Sequence, residues 1–283
     1  MGALHAGHCS LVQKSLERDD ATIVSIFVNP SQFAPTEDFD VYPRTFDSDL
    51  EILDSLESRS EQAHDWKKVA AVFAPKVSEM YPNGIPLDVS KQVGAFVSVQ
   101  GLGDKLEGAT RPQFFRGVAT VVTKLLNVCS PTSAYFGQKD IQQTVVVKRL
   151  VQDLLINTEI VVVPTVREQS GLALSSRNSY LANDVKNDSA VISQSLQKAE
   201  IAYYEQKTRD ASEIRQIVLD KLLPYTNGDL AAYRLDYISV NHPQTLEQLN
   251  EVVPGVGAVL SIAIYVPNAG GSETRLIDNV VLK

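Results

Sequence analysis

Short apolar runs alternate with amphipathic stretches through the first two-thirds of the chain. Residues 21–28 (ATIVSIFV) form a β-branched run stopped by Asn29-Pro30, and residues 69–74 (VAAVFA) stop at Pro75 in the same way. Residues 134–136 and 159–163 (EIVVV), the latter closed by Pro164, repeat the form. Brief apolar runs bounded by turn residues predict strands buried on both faces. Between them lie helical patterns at residues 10–18 and at 47–56, where Leu50, Leu53 and Leu56 share a face. Val118, Val121, Val122, Leu125 and Leu126 follow the i, i+3, i+4 spacing of a helix turned to a core. Buried strands separated by helices predict βαβ units and a parallel sheet covered on both sides.

The last third changes character. Residues 184–207 and 210–223 predict two helices, and residues 233–240, 258–266 and 275–282 predict three strands. Two helices followed by three strands imply a separate, smaller α+β domain, with the boundary near Pro164 to Gly171. The expected division is therefore residues 1–165 and 166–283. The polar stretch 55–68 (SLESRSEQAHDWKK) reads as a surface extension of the preceding helix or a loop, without chemistry.

Composition narrows the classes. With 283 residues, 44% hydrophobic and 21% charged, the chain is ordinary globular protein with enough length for a sizeable core. No run approaches the roughly 18 apolar residues of a membrane-spanning helix. A net charge of −8 disfavours broad nucleic-acid binding but leaves anionic small substrates open, because a local cluster of cations sets its own potential. The two cysteines, Cys9 and Cys129, make neither a disulfide framework nor a metal spacing. A reducing, cytoplasmic setting is expected. The opening residues lack the basic and apolar regions of a signal peptide, and Ala6 stands where a myristoylation pattern needs Ser or Thr.

Four segments carry candidate chemistry. In His5-Ala6-Gly7-His8, two imidazoles flank a glycine just before a helix signal at Ser10. Unpaired backbone N–H groups and the helix dipole favour an anion there, and Gly7 allows close approach. Taken alone, they are equally two surface histidines; zinc lacks a third ligand nearby. Leu174-Ser175-Ser176-Arg177-Asn178, after Gly171, is either a phosphate-gripping loop or a polar interdomain loop. Phe136-Gly137-Gln138-Lys139-Asp140 follows a short strand, where ligands of open α/β sheets bind. Lys139 there would neutralise phosphate, while Asp140 either orients it or caps the next helix. Gln32 and Gln143 are either solvated amides or donors to hydroxyl and carboxylate groups. Gly101-Leu-Gly103-x4-Gly108 lacks a dinucleotide fingerprint and reads as a loop. Asp47 and Asp49 read as first-turn dipole partners or magnesium contacts, and His64 and His242 as solvated. There is no Walker A, GxSxG or HExxH sequence.

Seven segments, in one order from the first residue to near the last, together resemble the pantothenate synthetase (pantoate–β-alanine ligase) family, most of all its fungal form. They are residues 1–8 (MGALHAGH), 25–33 (SIFVNPSQF), 42–45 (YPRT), 115–118 (FRGV), 136–143 (FGQKDIQQ), 171–178 (GLALSSRN) and 274–278 (TRLID). The histidine motif and the Ser-Ser-Arg loop are similar to the HIGH and KMSKS signatures of the wider nucleotidyltransferase superfamily. The resemblance implies a Rossmann-like parallel sheet over 1–165, binding nucleotide and pantoate, and an α+β lid domain over 166–283. It implies an ATP- and Mg²⁺-dependent condensation of pantoate with β-alanine through pantoyl adenylate, releasing pyrophosphate and AMP. His8 is then the general acid or donor to pyrophosphate, with His5, Lys139, Ser175, Ser176 and Arg177 holding phosphates. Met1, Gly2, Gly137, Gln138, Lys139, Asp140, Val166 and Leu174 line the nucleotide site. Gln32 and Gln143 bind pantoate, Gln32 also serves β-alanine, and Asn29 and Tyr42 complete that region. A homodimer acting on small molecules, with no nucleic acid or membrane partner, is the family expectation.

Three departures stand beside the resemblance. Family members carry a further strand and a Pro-Thr before the Met-Gly that opens this chain, and that strand is expected at the sheet's centre. Phe114 replaces a histidine frequent in bacterial members, and Ser48 an acidic residue of some, so no protein metal ligand is carried over. The rivals are another adenylyl- or cytidylyltransferase, which would lack the Asn-Pro-x-Gln-Phe and Gln-Gln elements, and a non-catalytic nucleotide-binding protein.

Overall fold

The computed structural model describes residues 2–33, 39–40, 42–61, 65–86, 88–227 and 232–283. The chain divides into two compact units, one of residues 1–137 and 142–163, the other of 138–141 and 164–283.

In the N-terminal unit, α1 (Ala6–Arg18) leads to β1 (Thr22–Ser25), then α2 (Phe46–Ser55), β2 (Glu57–Arg59) and β3 (Trp66–Phe73). The short α3 (Val77–Met80) and α4 (Glu107–Thr110) precede α5 (Phe114–Cys129), β4 (Ser133–Gly137), α6 (Ile141–Asp153) and β5 (Glu159–Val163). β1 lies parallel to β3, with Val24 opposite Val72, and β4 lies parallel to β5, with Tyr135 opposite Val161. Helix α1 touches each of these strands. It buries Val12 and Leu16 with Leu53 of α2 against Val24, Val69 and Val72, the apolar stripe that its spacing predicts. Helix α5 buries Phe115, Val118, Val121, Val122 and Leu126.

Parallel βα units are present as expected, but three details differ from the sequence reading. The first strand is shorter than residues 21–28, and it is not buried on both faces, since Ile23 is 51% exposed. Among the described residues β1 pairs on one side only, with β3, so its apolar run outruns its partners. Residues 57–59 and 66–68 are neither a helix extension nor a loop: β2 runs antiparallel to β3, with Glu57 opposite Lys68 and Arg59 opposite Trp66. This ladder is held by backbone bonds and leaves no apolar period to read, and its one apolar member, Trp66, is 66% exposed. Gly108 lies in the one-turn α4 rather than a loop.

The C-terminal unit packs α7 (Asn183–Asp188), α8 (Ala190–Tyr204) and α9 (Ala211–Asn227) with the antiparallel sheet β6 (Arg234–Asn241), β7 (Ala258–Pro267), β8 (Glu273–Leu282), in that order. Leu196, Ala199 and Tyr203 of α8 and Ile214, Val218 and Leu222 of α9 close on Leu260, Ile262 and Ile264 of the central strand. The three strands fall on the three extended segments expected at 233–240, 258–266 and 275–282, to within a few residues. The first helix breaks in two at Ser189, which is fully buried with its hydroxyl 3.1 Å from that of Tyr233. A buried side-chain hydrogen bond of this kind leaves no trace in helical periodicity. Among the described residues no helix is long and apolar enough to cross a membrane.

Candidate active site

The N-terminal unit holds the histidine motif at the start of α1. His5 is the cap: its backbone is extended and its Nδ1 accepts from the Gly7 amide at 3.1 Å. That bond places the ring hydrogen of a neutral His5 on Nε2. The His8 ring lies 4.0 Å from the His5 ring, centroid to centroid. No acidic residue occupies the first turn of α1, so its positive end is not neutralised from within the helix.

The segment entering this cap is held by Asp49, which is 1% exposed. Its carboxylate accepts from the amides of Ala3 and Leu4 at 2.9 and 2.8 Å and from the Thr45 hydroxyl at 3.1 Å. Gly2 has φ +87°, and a Cβ there would meet Asp49 Oδ2 at 3.0 Å. Asp49 thus sits in the first turn of α2 but serves the histidine loop. Met1 lies outside the described residues, as does His64.

Asn29 is buried and internally committed. Its Nδ2 donates to Gly117 O at 3.3 Å, and its Oδ1 accepts from Ser31 at 2.9 Å and Tyr81 at 2.8 Å. Burial pushes the Tyr81 phenol up, against the lowering effect of Ser31 and Asn29. This network fixes the turn that carries Gln32. Gln32 lines a cavity of about 190 Å³ together with Phe33, Arg111, Phe114 and Arg116. Arg111 donates to Gln32 O at 2.8 Å and lies 4.0 Å over the Phe114 ring, and Arg116 lies 4.0 Å over Phe96. Phe114 therefore offers a π-face to a cation where a histidine would offer a hydrogen bond. Tyr42 is buried edge-on against Phe33. Gln143 is half-buried in the first turn of α6 and is not a wall of this cavity. Its neighbour Gln142 is buried, donating to Leu102 O and Lys105 O and accepting from the Glu107 amide, so it ties the 102–107 loop to α6.

The C-terminal unit holds the other set. Gln138, Lys139 and Asp140 form a single 3₁₀ turn between β4 and α6, and a Cβ on Gly137 would meet open space. Asn279 of β8 donates through Nδ2 to Gln138 O and Lys139 O, both at 2.9 Å. Val166 and Leu174 face each other across a small hairpin through Leu174 N–H to Val166 O at 3.0 Å. Ser175 caps the 3₁₀ helix Ser176–Tyr180 by accepting from the Arg177 amide. The loop rests on Asn178, which is buried and donates to Glu168 and to Ala173 O. Lone His242 is half-exposed, and its Nδ1 accepts from the amides of Gln244 and Thr245, capping the turn.

Sequence reasoning missed Arg111, Arg116, Gln142, Arg167, Asp278 and Asn279, and read Asp49 only as a dipole partner or magnesium contact. Two signals were at hand: Arg116, Gln142 and Asp278 stand inside matching segments, and Arg111 stands four residues before one. Among the described residues no three His, Cys, Asp or Glu side chains are grouped to hold a metal ion.

A family model described as Pantoate-beta-alanine ligase matches residues 1–281. The pantoate–β-alanine ligase of Saccharomyces cerevisiae is 46% identical over all of this chain and 90% of its own length, in keeping with the fungal likeness. The pantothenate synthetase of Acetivibrio thermocellus is 41% identical over all of this chain and 89% of its own. The crystal structure of pantothenate synthetase from Thermus thermophilus matches with TM-score 0.83 and 38% identity, over 99% of this chain and 90% of that one. The Francisella tularensis pantoate–β-alanine ligase, solved with β-γ ATP and β-alanine, matches with TM-score 0.70 and 33% identity over 99% and 87%. A match of this extent sets aside the other adenylyl- and cytidylyltransferases, and the chain belongs to the family of pantoate–β-alanine ligases, the pantothenate synthetases.

Proposed function

We propose that the chain condenses pantoate with β-alanine in two steps. A pantoate carboxylate oxygen attacks the α-phosphorus of ATP, the bond to the bridging oxygen breaks, and pyrophosphate leaves with that electron pair. The β-alanine amine then attacks the acyl carbon of pantoyl adenylate, AMP departs and the amine loses its proton. One observation carries the reading: the His5–His8 ring pair stands at the N-terminal end of a thirteen-residue helix whose first turn carries no acidic residue, where unpaired amides favour a polyphosphate. The first step joins two anions, so donors aimed at the departing phosphates supply the catalysis. In this reading His8 donates to the leaving pyrophosphate, and His5, Lys139, Ser175, Ser176 and Arg177 hold the phosphates. Gly2, Gly137, Gln138, Asp140, Val166 and Leu174 line the nucleotide. Met1 is assigned the same role from the family motif alone.

Gln32 and Gln143 bind pantoate, with Gln32 also serving β-alanine, and Asn29 and Tyr42 hold Gln32 in place. The two guanidinium groups beside Gln32 favour a carboxylate in its cavity. Magnesium would enter with the substrate as Mg-ATP and would offset phosphate charge there. The 1–165 and 166–283 division into a substrate domain and a lid, a homodimer and a cytoplasmic setting complete the proposal.

The test is AMP and pantothenate formation from Mg-ATP, pantoate and β-alanine. Without β-alanine, pantoate-dependent exchange of labelled pyrophosphate into ATP is expected. AMP formation without any such exchange overturns the stepwise route, and no AMP at all overturns the assignment. His8→Ala is expected to lower kcat by about 10²–10³.

A further inference from the structure

We propose that Asp278 and Asn279, neighbours on β8, are positioning residues for ATP, each fixing one phosphate-binding segment to the same strand. The inference rests on the phosphate roles of Lys139 and the Ser175–Arg177 loop proposed above.

Asn279 is 1% exposed. Its Nδ2 donates to Gln138 O and Lys139 O at 2.9 Å, and its Oδ1 accepts from Gln138 Nε2 at 3.4 Å. Three residues of 3₁₀ turn have few bonds of their own. The amide of Asn279 uses both hydrogens to set the path of the Lys139 backbone.

Asp278 is 3% exposed and does the same for the other segment. Its two oxygens receive Arg167 Nη1 at 2.5 Å and Nη2 at 3.0 Å, a two-pronged ion pair. Arg167 Nη1 also donates to Gly171 O at 3.2 Å. Arg167 bridges Ala173 across the hairpin that ends in Leu174, and the hairpin is closed by Glu168 N–H to Leu172 O at 2.8 Å. Ser175, Ser176 and Arg177 thus run between two anchors, the Arg167 hairpin and buried Asn178.

Successive side chains of a strand leave from opposite faces. Asp278 therefore holds the serine–arginine loop from one face of β8, and Asn279 holds the lysine turn from the other. β8 is paired along ten residues with central β7, which makes a rigid base. A single peptide bond sets the spacing of the two anchors. The sequence separates the segments by 35 residues, Asp140 to Ser175 (175 − 140 = 35). Neither has a long element of its own to hold it. Misplacing a reacting group by about 1 Å costs on the order of 10² in rate.

The test uses Asn279→Ala, Asn279→Asp, Asp278→Asn and Arg167→Lys in the full chain. It measures KM and kcat for each substrate, pyrophosphate exchange, thermal unfolding, and hydrogen exchange of residues 138–141 and 166–178. Each variant is expected to lower kcat/KM for ATP by about 10–10² while KM for pantoate and β-alanine stays put. Asn279→Asp fares no better than Asn279→Ala, because a carboxylate donates to neither carbonyl. Arg167→Lys keeps the charge but loses the fork, and behaves like Asp278→Asn. Faster exchange appears at 138–141 in the Asn279 variants and at 166–178 in the Asp278 and Arg167 variants. Cooperatively folded Asn279→Ala and Asp278→Asn with unchanged ATP kinetics overturn the inference, as does unchanged exchange at both segments. A parent protein that forms no AMP instead overturns the underlying reading, and the exchange measurement still judges the anchoring.

Discussion

At the scale of single residues, Asp49 is the clearest case of a role hidden by its position. A carboxylate in the first turn of a helix reads as a dipole partner, yet this one is buried and takes two amides from the loop before His5. Asp49→Asn keeps the shape but removes the charge and turns a donor toward a donor. Hydrogen bonds to charged groups contribute about 1.5–3 kcal/mol each, so a stability loss of that order is expected in urea titration, with a fall in kcat as the histidine loop loosens. Gly2→Ala adds a Cβ at 3.0 Å from the same carboxylate, on a backbone of φ +87°, and is expected to act in the same direction. Tyr233 gives a residue-scale pH dependence. Burial pushes its phenol up to about 12 from an ordinary 10.0, with the Ser189 bond acting in the opposite sense. Below pH 10 it is neutral in both states and has no effect. Between 10 and 12 the folded state holds the proton that the unfolded state loses, so stability falls as pH rises. Tyr233→Phe is expected to flatten that fall, measured by unfolding at a series of alkaline pH values.

At the scale of elements, contact between α5 and the turn carrying Gln32 determines the shape of the cavity. A Cβ on Gly117 would meet Ser31 O at 2.4 Å and Ser31 Oγ at 2.6 Å. Alanine is a better helix former than glycine by up to about 1 kcal/mol. Overpacking against backbone costs about 1–3 kcal/mol and wins. Gly117→Ala is expected to lower the unfolding midpoint and to raise KM for pantoate through Gln32, with KM for ATP unmoved. The spacing of Val118, Val121, Val122 and Leu126 already marks the buried face of this helix. It does not mark Gly117, because the need for a missing side chain arises from what lies opposite, 86 residues away (117 − 31 = 86).

At the scale of the whole molecule, the chain has two units with their own cores, and one piece is out of sequence order: residues 138–141 group with 164–283. The C-terminal unit joins its helices to a three-stranded sheet through a continuous apolar cluster. A fragment of residues 164–283 is therefore expected to unfold in one cooperative transition, read by circular dichroism. It is expected to be less stable than the same unit in the full chain, because Asn279 loses the two carbonyls it bonds. Adding Asn279→Ala to the fragment should then cost little, while the same change in the full chain costs more. Equal costs in both would show that the 138–141 turn contributes nothing to this unit.

Local pattern alone determined the alternation of strands and helices, the three C-terminal strands, and the helix after the histidine motif, read from Ser10 and found from Ala6. Those features depend on neighbours within a few residues, where period and turn chemistry act directly. Only the tertiary structure decided that Asp49 serves the histidine loop, that residues 57–59 pair with 66–68, that a buried serine divides the first C-terminal helix, and that Asp278 and Asn279 hold two distant segments. Each of these rests on a polar or backbone bond between groups brought together by folding. Such bonds have direction but no period, so they leave no repeating mark along the chain.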